Sequence, residues 1–215
     1  GYKKKGKHDL TVPRSAFQSE YIKLKEKYKH WVKDWPESTD PLKMIYEDIA
    51  IASFLICYWR ESKKEIRFVD MGCGNGFLTY VLTQEGYSGY GIDQSKRKVW
   101  DMYPQNVTLI EKTLYPKDMN VNANFIIGNH ADELIPWIPI LAHRANASFM
   151  ALPCCFHLLN GRKMTHTDHS KTQYQQYLQY VESIIVNCGY VSTQESLRIP
   201  STKNICFLAD KRSKG

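Results

Sequence analysis

One short segment constrains this chain more than any other: Phe68-Val-Asp70-Met-Gly72-Cys73-Gly74-Asn75-Gly76-Phe-Leu. An apolar run ends on an acid, three glycines follow at two-residue spacing, and a helical pattern then begins. Glycine permits positive φ and lets a backbone approach a ligand closely. The loop feeds a helix N-terminus, where unpaired N–H groups can meet bound oxygens. The spacing is G-x-G-x-G, not the G-x-G-x-x-G of dinucleotide folds. Asp93 is a second anchor. It ends Gly89-Tyr-Gly-Ile-Asp93, 17 residues after Gly76, and an acid at the tip of a second strand can accept hydrogen bonds from both ribose hydroxyls. A glycine loop flanked by Asp70 and Asp93 predicts a nucleoside site.

The rest of the chain supplies the frame for such a site. Its 215 residues suit one domain of ordinary size, and 43% apolar with 24% charged residues excludes global disorder. No apolar run approaches the ~18–20 residues of a membrane helix, and the N-terminus has no secretory h-region. The sequence lacks an initiating Met, so it reads as a piece of a longer protein. Residues 1–14 read as a basic mobile arm. Residues 15–62 read as a helical extension, with helices over 17–35 and 42–60 separated by Pro36 and by Ser38-Thr39-Asp40-Pro41, a helix-start signal. Residues 63–215 alternate short strands and helices. Strands are expected over 66–71, 88–92, 107–110, 124–127 and 148–152. Helices are expected over 77–84, 95–102, 132–142 (broken by Pro136 and Pro139) and 172–187. A closing strand pair, 191–198 and 204–209, adds an antiparallel edge. This pattern predicts an α/β fold with a mostly parallel sheet covered by helices on both faces.

Charge is uneven. The net charge is +7, but residues 1–30 hold nine Lys/Arg against three Asp/Glu, leaving the remainder nearly neutral. Clustered lysines suit a polyphosphate partner, since each neutralised phosphate releases counterions; a solvated tail is the plainer alternative. The six cysteines form no C-x-x-C pair, and with no leader the expected compartment is the reducing cytoplasm.

Two ligands compete for the glycine loop. NAD calls for the other glycine spacing and a pyrophosphate pocket. S-adenosylmethionine carries no phosphate, and its ammonium and sulfonium groups are cationic, which suits Asp70 at the loop mouth. The combination resembles the first motif of the class I, Rossmann-like methyltransferases. Longer segments sharpen the likeness: Trp35-Pro-Glu-Ser-Thr-Asp-Pro-Leu-Lys, Tyr46-Glu-Asp-Ile-Ala-Ile-Ala, Arg97-Lys-Val-Trp-Asp-Met-Tyr103, Gly128-Asn-His-Ala-Asp-Glu-Leu-Ile-Pro-Trp137, Leu152-Pro-Cys-Cys155 and Leu197-Arg-Ile-Pro-Ser-Thr-Lys203. These resemble the tRNA (uracil-2′-O-)-methyltransferase family over roughly residues 20–210. The resemblance implies a Rossmann-like class I methyltransferase with a seven-stranded sheet, S-adenosylmethionine as donor, and formation of 2′-O-methyluridine at position 44 of serine tRNA. It implies neither a membrane nor a DNA partner.

In an open α/β sheet, ligands sit beyond the carboxyl ends of the strands. Gly72, Cys73, Gly74, Asn75, Gly76, Asp70 and Asp93 are therefore expected to bind the donor, with Thr113 and Leu114 flanking its adenine and Asn129 nearby. His130 is the candidate base for the ribose hydroxyl, with Asp132 as orienter or alternative; a structural capping role for His130 is the competing reading. Lys171, Arg198, Ser201, Thr202 and Lys203 are candidate RNA contacts, against the alternative of a plain surface turn. Thr39, Asp40 and Lys43 either close over the methionine moiety or simply cap a helix. Cys154-Cys155-Phe-His157, with His166 and His169, has poor metal-ligand spacing, so no metal is expected. An idle methyltransferase fold that binds RNA or a partner is the alternative function.

Overall fold

The computed structural model describes residues 8–129 and 131–212. Seven strands form one sheet in the order β3-β2-β1-β4-β5-β7-β6. They are β1 (Arg67–Met71), β2 (Ser88–Asp93), β3 (Leu109–Glu111), β4 (Phe125–Gly128), β5 (Ser148–Ala151), β6 (Tyr190–Ser196) and β7 (Ile205–Arg212). The first five pair in parallel. β7 runs antiparallel to both β5 and β6. The closing strand pair therefore forms one antiparallel edge of the sheet, as the sequence pattern suggests, with β7 lying between β5 and β6. The strand order reverses between β1 and β4, and a crevice opens at such a switch point.

Five helices cover the sheet: α1 (Arg14–Tyr28), α2 (Pro41–Arg60), α3 (Phe77–Gln84), α4 (Ile138–Ala145) and α5 (Gln173–Asn187). Side chains alternate across the strands. Phe68, Phe125, Met150 and Leu208 pack with α1, α2 and α3 through Leu24, Ile45, Ile49, Leu55, Trp59 and Phe77. Val69, Ile126, Phe149 and Phe207 face α4 and α5 through Leu141, Tyr177, Val181 and Ile185. Within residues 15–62, α1 and α2 share this core with α3, and α2 is apolar nearly all round. Asp40 caps it by accepting from the Leu42 N–H at 3.0 Å, with Pro41 in the first turn. Tyr28 and Lys27 of α1 both donate to Glu85 just past α3, at 2.6 and 2.7 Å. Burial opposes ionisation of Glu85, but these two partners outweigh it and hold the carboxyl below its ordinary range.

Three local expectations change. Residues 95–102 form only a short 3-10 turn, over Lys98–Met102. Pro139 does not break a helix; it sits in the first turn of α4, where its missing N–H costs nothing. Residues 8–12 of the expected arm are fastened to the domain. The His8 ring bonds the Ser196 carbonyl, the Leu10 N–H and the Thr11 hydroxyl donate to Glu195, and Val12 is buried. Residues 1–7 lie outside the described part. Among the described residues, no helix is long and apolar enough to cross a membrane.

Candidate active site

The Gly72–Gly76 loop joins β1 to α3, and all three glycines hold positive φ, at 65°, 56° and 76°. At Gly76 the left-handed backbone calls for glycine, and a Cβ would also lie 2.7 Å from a Leu109 methyl that would have to move aside. Gly91 in β2 answers a close approach: a Cβ there would meet the Thr79 hydroxyl at 2.7 Å and Cys73 Cβ at 2.9 Å. The loop is tied down from several sides. Gly74 N–H donates to Asp93 Oδ2 at 2.9 Å, Trp100 Nε1–H donates to the Gly74 carbonyl at 2.8 Å, and Tyr103 O–H donates to the Asn75 carbonyl at 3.0 Å. Asn75 Oδ1 accepts from the N–H of Phe77, the first residue of α3, at 2.8 Å.

A cavity of about 480 Å³ opens beside this loop, within the range of small-molecule clefts. Its near wall is Gly72, Gly74, Asn75 and Asp93. Leu114, past β3, closes one side, and Ala131, Asp132, Glu133 and Leu134, past β4, close another. Glu37, Ser38 and Thr39 cover it from the segment that leads into α2, and Met44 covers it from α2 itself. Glu37 accepts from the Val99 N–H at 3.0 Å, which fastens this segment over the crevice. Four carboxylates (Glu37, Asp93, Asp132 and Glu133) face one guanidinium, Arg97, around the rim. Such a wall repels a diphosphate and attracts a cation. Asp93 uses one oxygen on Gly74 and the other on the Ser95 N–H, at 3.1 Å. An ionised carboxylate has about four lone-pair sites, so acceptor capacity is left for ribose hydroxyls.

The structure redistributes several residues read from the sequence. Asp70 is 2% exposed and accepts from the Thr79 hydroxyl at 3.0 Å; it braces α3 and is not on the cavity wall. Cys73 is buried behind the loop, and burial, then Asp70 and Asp93, push its thiol far up. Thr113 is exposed and off the wall, while its neighbour Leu114 lines it. Asn129 is 3% exposed and donates to Asp48 Oδ1 at 3.2 Å, so it joins β4 to α2 and does not face the donor cavity. His130 lies outside the described residues, and Asp132 is at the cavity edge. Thr39 accepts from Trp35 Nε1–H, and Asp40 serves as the cap of α2.

The candidate RNA residues do not form one cluster. Arg198 makes a two-pronged pair with Asp9, at 2.7 and 3.3 Å. Ser201 donates to Glu47 of α2, at 2.8 Å. Lys203 stands 4.7 Å over the Phe156 ring. Lys171, before α5, bonds Gln179 at 2.8 Å and pairs with Asp168. Thr202 is exposed. Cys154 and Cys155 follow β5 and both donate to Asp132 Oδ1 at 3.4 Å. Burial, then Cys155 and Asp132, push the Cys154 thiol up to about 12, so it is protonated at neutral pH and is no nucleophile. Sequence reading missed Asp48 and Glu37 as individuals, although both stand in segments that carried the family likeness.

Comparisons with known proteins agree with this geometry. The family model described as "Predicted AdoMet-dependent methyltransferase" matches residues 11–116. A 1,6-didemethyltoxoflavin-N1-methyltransferase of Burkholderia thailandensis, solved with S-adenosylhomocysteine, superposes with a TM-score of 0.52 at 11% identity, covering 95% of this chain and 94% of that one. A magnesium protoporphyrin IX methyltransferase of Synechocystis PCC 6803, also with bound SAH, gives 0.51 at 15% identity, covering 92% and 98%. The fold is that of the class I, Rossmann-like methyltransferases. The human protein named "Probable tRNA (uracil-O(2)-)-methyltransferase" is 44% identical over 207 residues, 92% of this chain and 27% of that protein. The tRNA (uracil-O(2)-)-methyltransferase of Schizosaccharomyces pombe is 40% identical over 251 residues, 98% of this chain and 50% of that protein. The chain is similar to these tRNA (uracil-O(2)-)-methyltransferases over most of its own length, and it spans from about a quarter to about half the length of the curated relatives it matches.

Proposed function

We propose that this domain binds S-adenosylmethionine in the acid-lined crevice and directs its methyl group to the 2′-oxygen of a uridine ribose in tRNA. The observation that carries the reading is the bond from Gly74 to Asp93 at the wall of a cavity where carboxylates outnumber cations. Asp93 would take the ribose hydroxyls, and the Gly72–Asn75 backbone would pass along the methionine end. Glu37, Asp132 and Glu133 favour a cationic ligand over a dinucleotide. The matching relatives, named for uracil-O(2) methylation of tRNA, support the acceptor class.

Bound there, the donor supplies a methyl on a sulfonium, which leaves as a neutral thioether. The chain's own task is alignment, because an in-line displacement depends on holding the two reactants end to end. The acceptor hydroxyl must also give up its proton as the O–CH₃ bond forms. His130 is the proposed acceptor of that proton, with Asp132 as orienter or substitute. Lys203 and Lys171 are proposed to hold RNA phosphates. Serine tRNA, uridine 44 and a cytoplasmic location belong to the same proposal, carried by the family likeness. The test is incubation with unmodified serine tRNA and a methyl-labelled donor, followed by nucleoside mapping. Label in 2′-O-methyluridine at position 44 supports the reading. Label in a base, at another position or nowhere, from protein that binds the donor, refutes it.

A further inference from the structure

The two loops that leave β4 and β5 carry a second chemical group. β4 and β5 are paired neighbours, with Gly128 opposite Ala151. Asp132 follows Gly128 by four residues, and Cys154 follows Ala151 by three, so strand pairing delivers all three side chains to one corner. There a carboxylate oxygen of Asp132 and both cysteine sulfurs lie within 4.8 Å of one another. Asp132 reaches this position with φ at +38°, in the left-handed region. Few non-glycine residues adopt that backbone, so the surroundings must enforce it.

As a set of hydrogen bonds this arrangement is poor. Thiols are weak donors, and two of them converge on one carboxylate oxygen. As a set of ligands it is well chosen. A tetrahedral ion with Zn–S near 2.3 Å and Zn–O near 2.0 Å places sulfur and oxygen about 3.5 Å apart. The two observed separations are each 3.4 Å. Two sulfurs exclude magnesium and calcium, which take oxygen ligands, and favour a thiophilic ion. Three protein ligands leave one tetrahedral position for water or another oxygen.

We propose that Asp132, Cys154 and Cys155 form a binding site for a thiophilic divalent cation, zinc above all, at the edge of the donor cavity. Binding exchanges two protons for one ion: each thiol releases H⁺, and two thiolates and one carboxylate then face Zn²⁺. The ion ties the turn after β4 to the loop after β5. It also engages Asp132 as a ligand, which leaves His130 as the proton acceptor in the proposed reaction. The site itself does not depend on that reaction.

The test uses the whole chain, stripped with a chelator and titrated with Zn²⁺ against a chromophoric chelator, and separately with Co²⁺. The expected result is one ion per chain and a thiolate-to-cobalt charge-transfer band in the near ultraviolet. The double variant Cys154→Ser/Cys155→Ser loses the band. Asp132→Asn, at an exposed position, weakens binding about tenfold or more. Cys188→Ser, after α5 and outside the cluster, keeps both signals. No band in the reloaded native chain, a full band in the double variant, or a mass two hydrogens low from a Cys154–Cys155 disulfide overturns the proposal. Titration of the zinc-free chain with S-adenosylmethionine reports on the donor cavity alone, so the two readings can fail independently.

Discussion

The two sides of the crevice are built over different distances along the chain. The donor wall is assembled from close sequence neighbours: Gly74 meets Asp93 across 19 residues, and Trp100 and Tyr103 bond the loop across 26 and 28. The facing side is assembled from afar. Glu37 of the cover meets Val99 across 62 residues, and off the cavity wall Asn129 meets Asp48 across 81 and Ser201 meets Glu47 across 154. A wall made by consecutive βα units is written as a motif, since one strand, one turn and one helix must each be right in order. A wall made by convergence of distant segments leaves only isolated polar residues in the sequence. Its side chains also carry partners that double as structural braces, so a change there mixes stability with function.

The sharpest way to break this comparison is Asp93→Ala. The change removes a carboxylate that serves both the loop and the proposed ribose contact. A charge-assisted bond lost on each side predicts about 100-fold weaker donor binding, or ~2.7 kcal/mol. Titration calorimetry with S-adenosylmethionine measures it, and unchanged affinity with the fold intact would remove Asp93 from the site. Gly76→Ala probes the same wall through the backbone. The new methyl meets Leu109 in a left-handed turn, so a loss of about 2 kcal/mol in unfolding free energy is expected from strain and overpacking. Urea denaturation checks this value, and a stability equal to the native chain's would show that the turn relaxes freely.

The donor side was legible for a definite reason. Residues 77–84 read as a helix and α3 spans the same residues, because the glycines before it and the apolar pattern within it agree. Asp93 read as a strand-tip acid and lines the cavity. Asp70 was misplaced, yet its position was available from strand alternation. It shares a sheet face with Phe68, which packs in the layer of α3, so its side chain turns to Thr79. The insertion of β7 between β5 and β6 was not legible, because a hairpin pattern says that two strands pair and not which one enters the sheet. Asp48 was hidden inside a helix that reads as apolar all round. The corner of Asp132, Cys154 and Cys155 becomes visible only when β4 and β5 are known to be neighbours.

Asn129 sharpens the contrast further. Read from sequence alone it is a donor contact; in the structure it is a brace to Asp48. Asn129→Ala leaves a buried carboxylate without one of its donors, which costs about 1–2 kcal/mol of stability. Donor affinity is expected to change by less than about threefold, well short of the Asp93→Ala effect. Thermal unfolding and calorimetry on the same variant separate the two. A large loss of affinity with little loss of stability would return Asn129 to the cavity wall.

The smallest expected effect concerns the basic N-terminus. Deleting residues 1–14 would be a poor experiment, because Val12 is buried and Asp9, Leu10 and Thr11 bond the β6 end and the hairpin after it. Deleting residues 1–7 removes Lys3, Lys4, Lys5 and Lys7 and leaves that clasp in place. The cut falls beside His8, which bonds Ser196 a few residues from Arg198 and Lys203. Lysines attached there are expected to add to RNA affinity. Each phosphate contact contributes about 0.7–0.9 to the salt slope of binding, so the truncated chain should bind tRNA several-fold more weakly at low salt with a slope shallower by about 1–3. Donor affinity should not move. Equal tRNA affinity and an equal salt slope before and after truncation would show that the protein binds tRNA without these lysines.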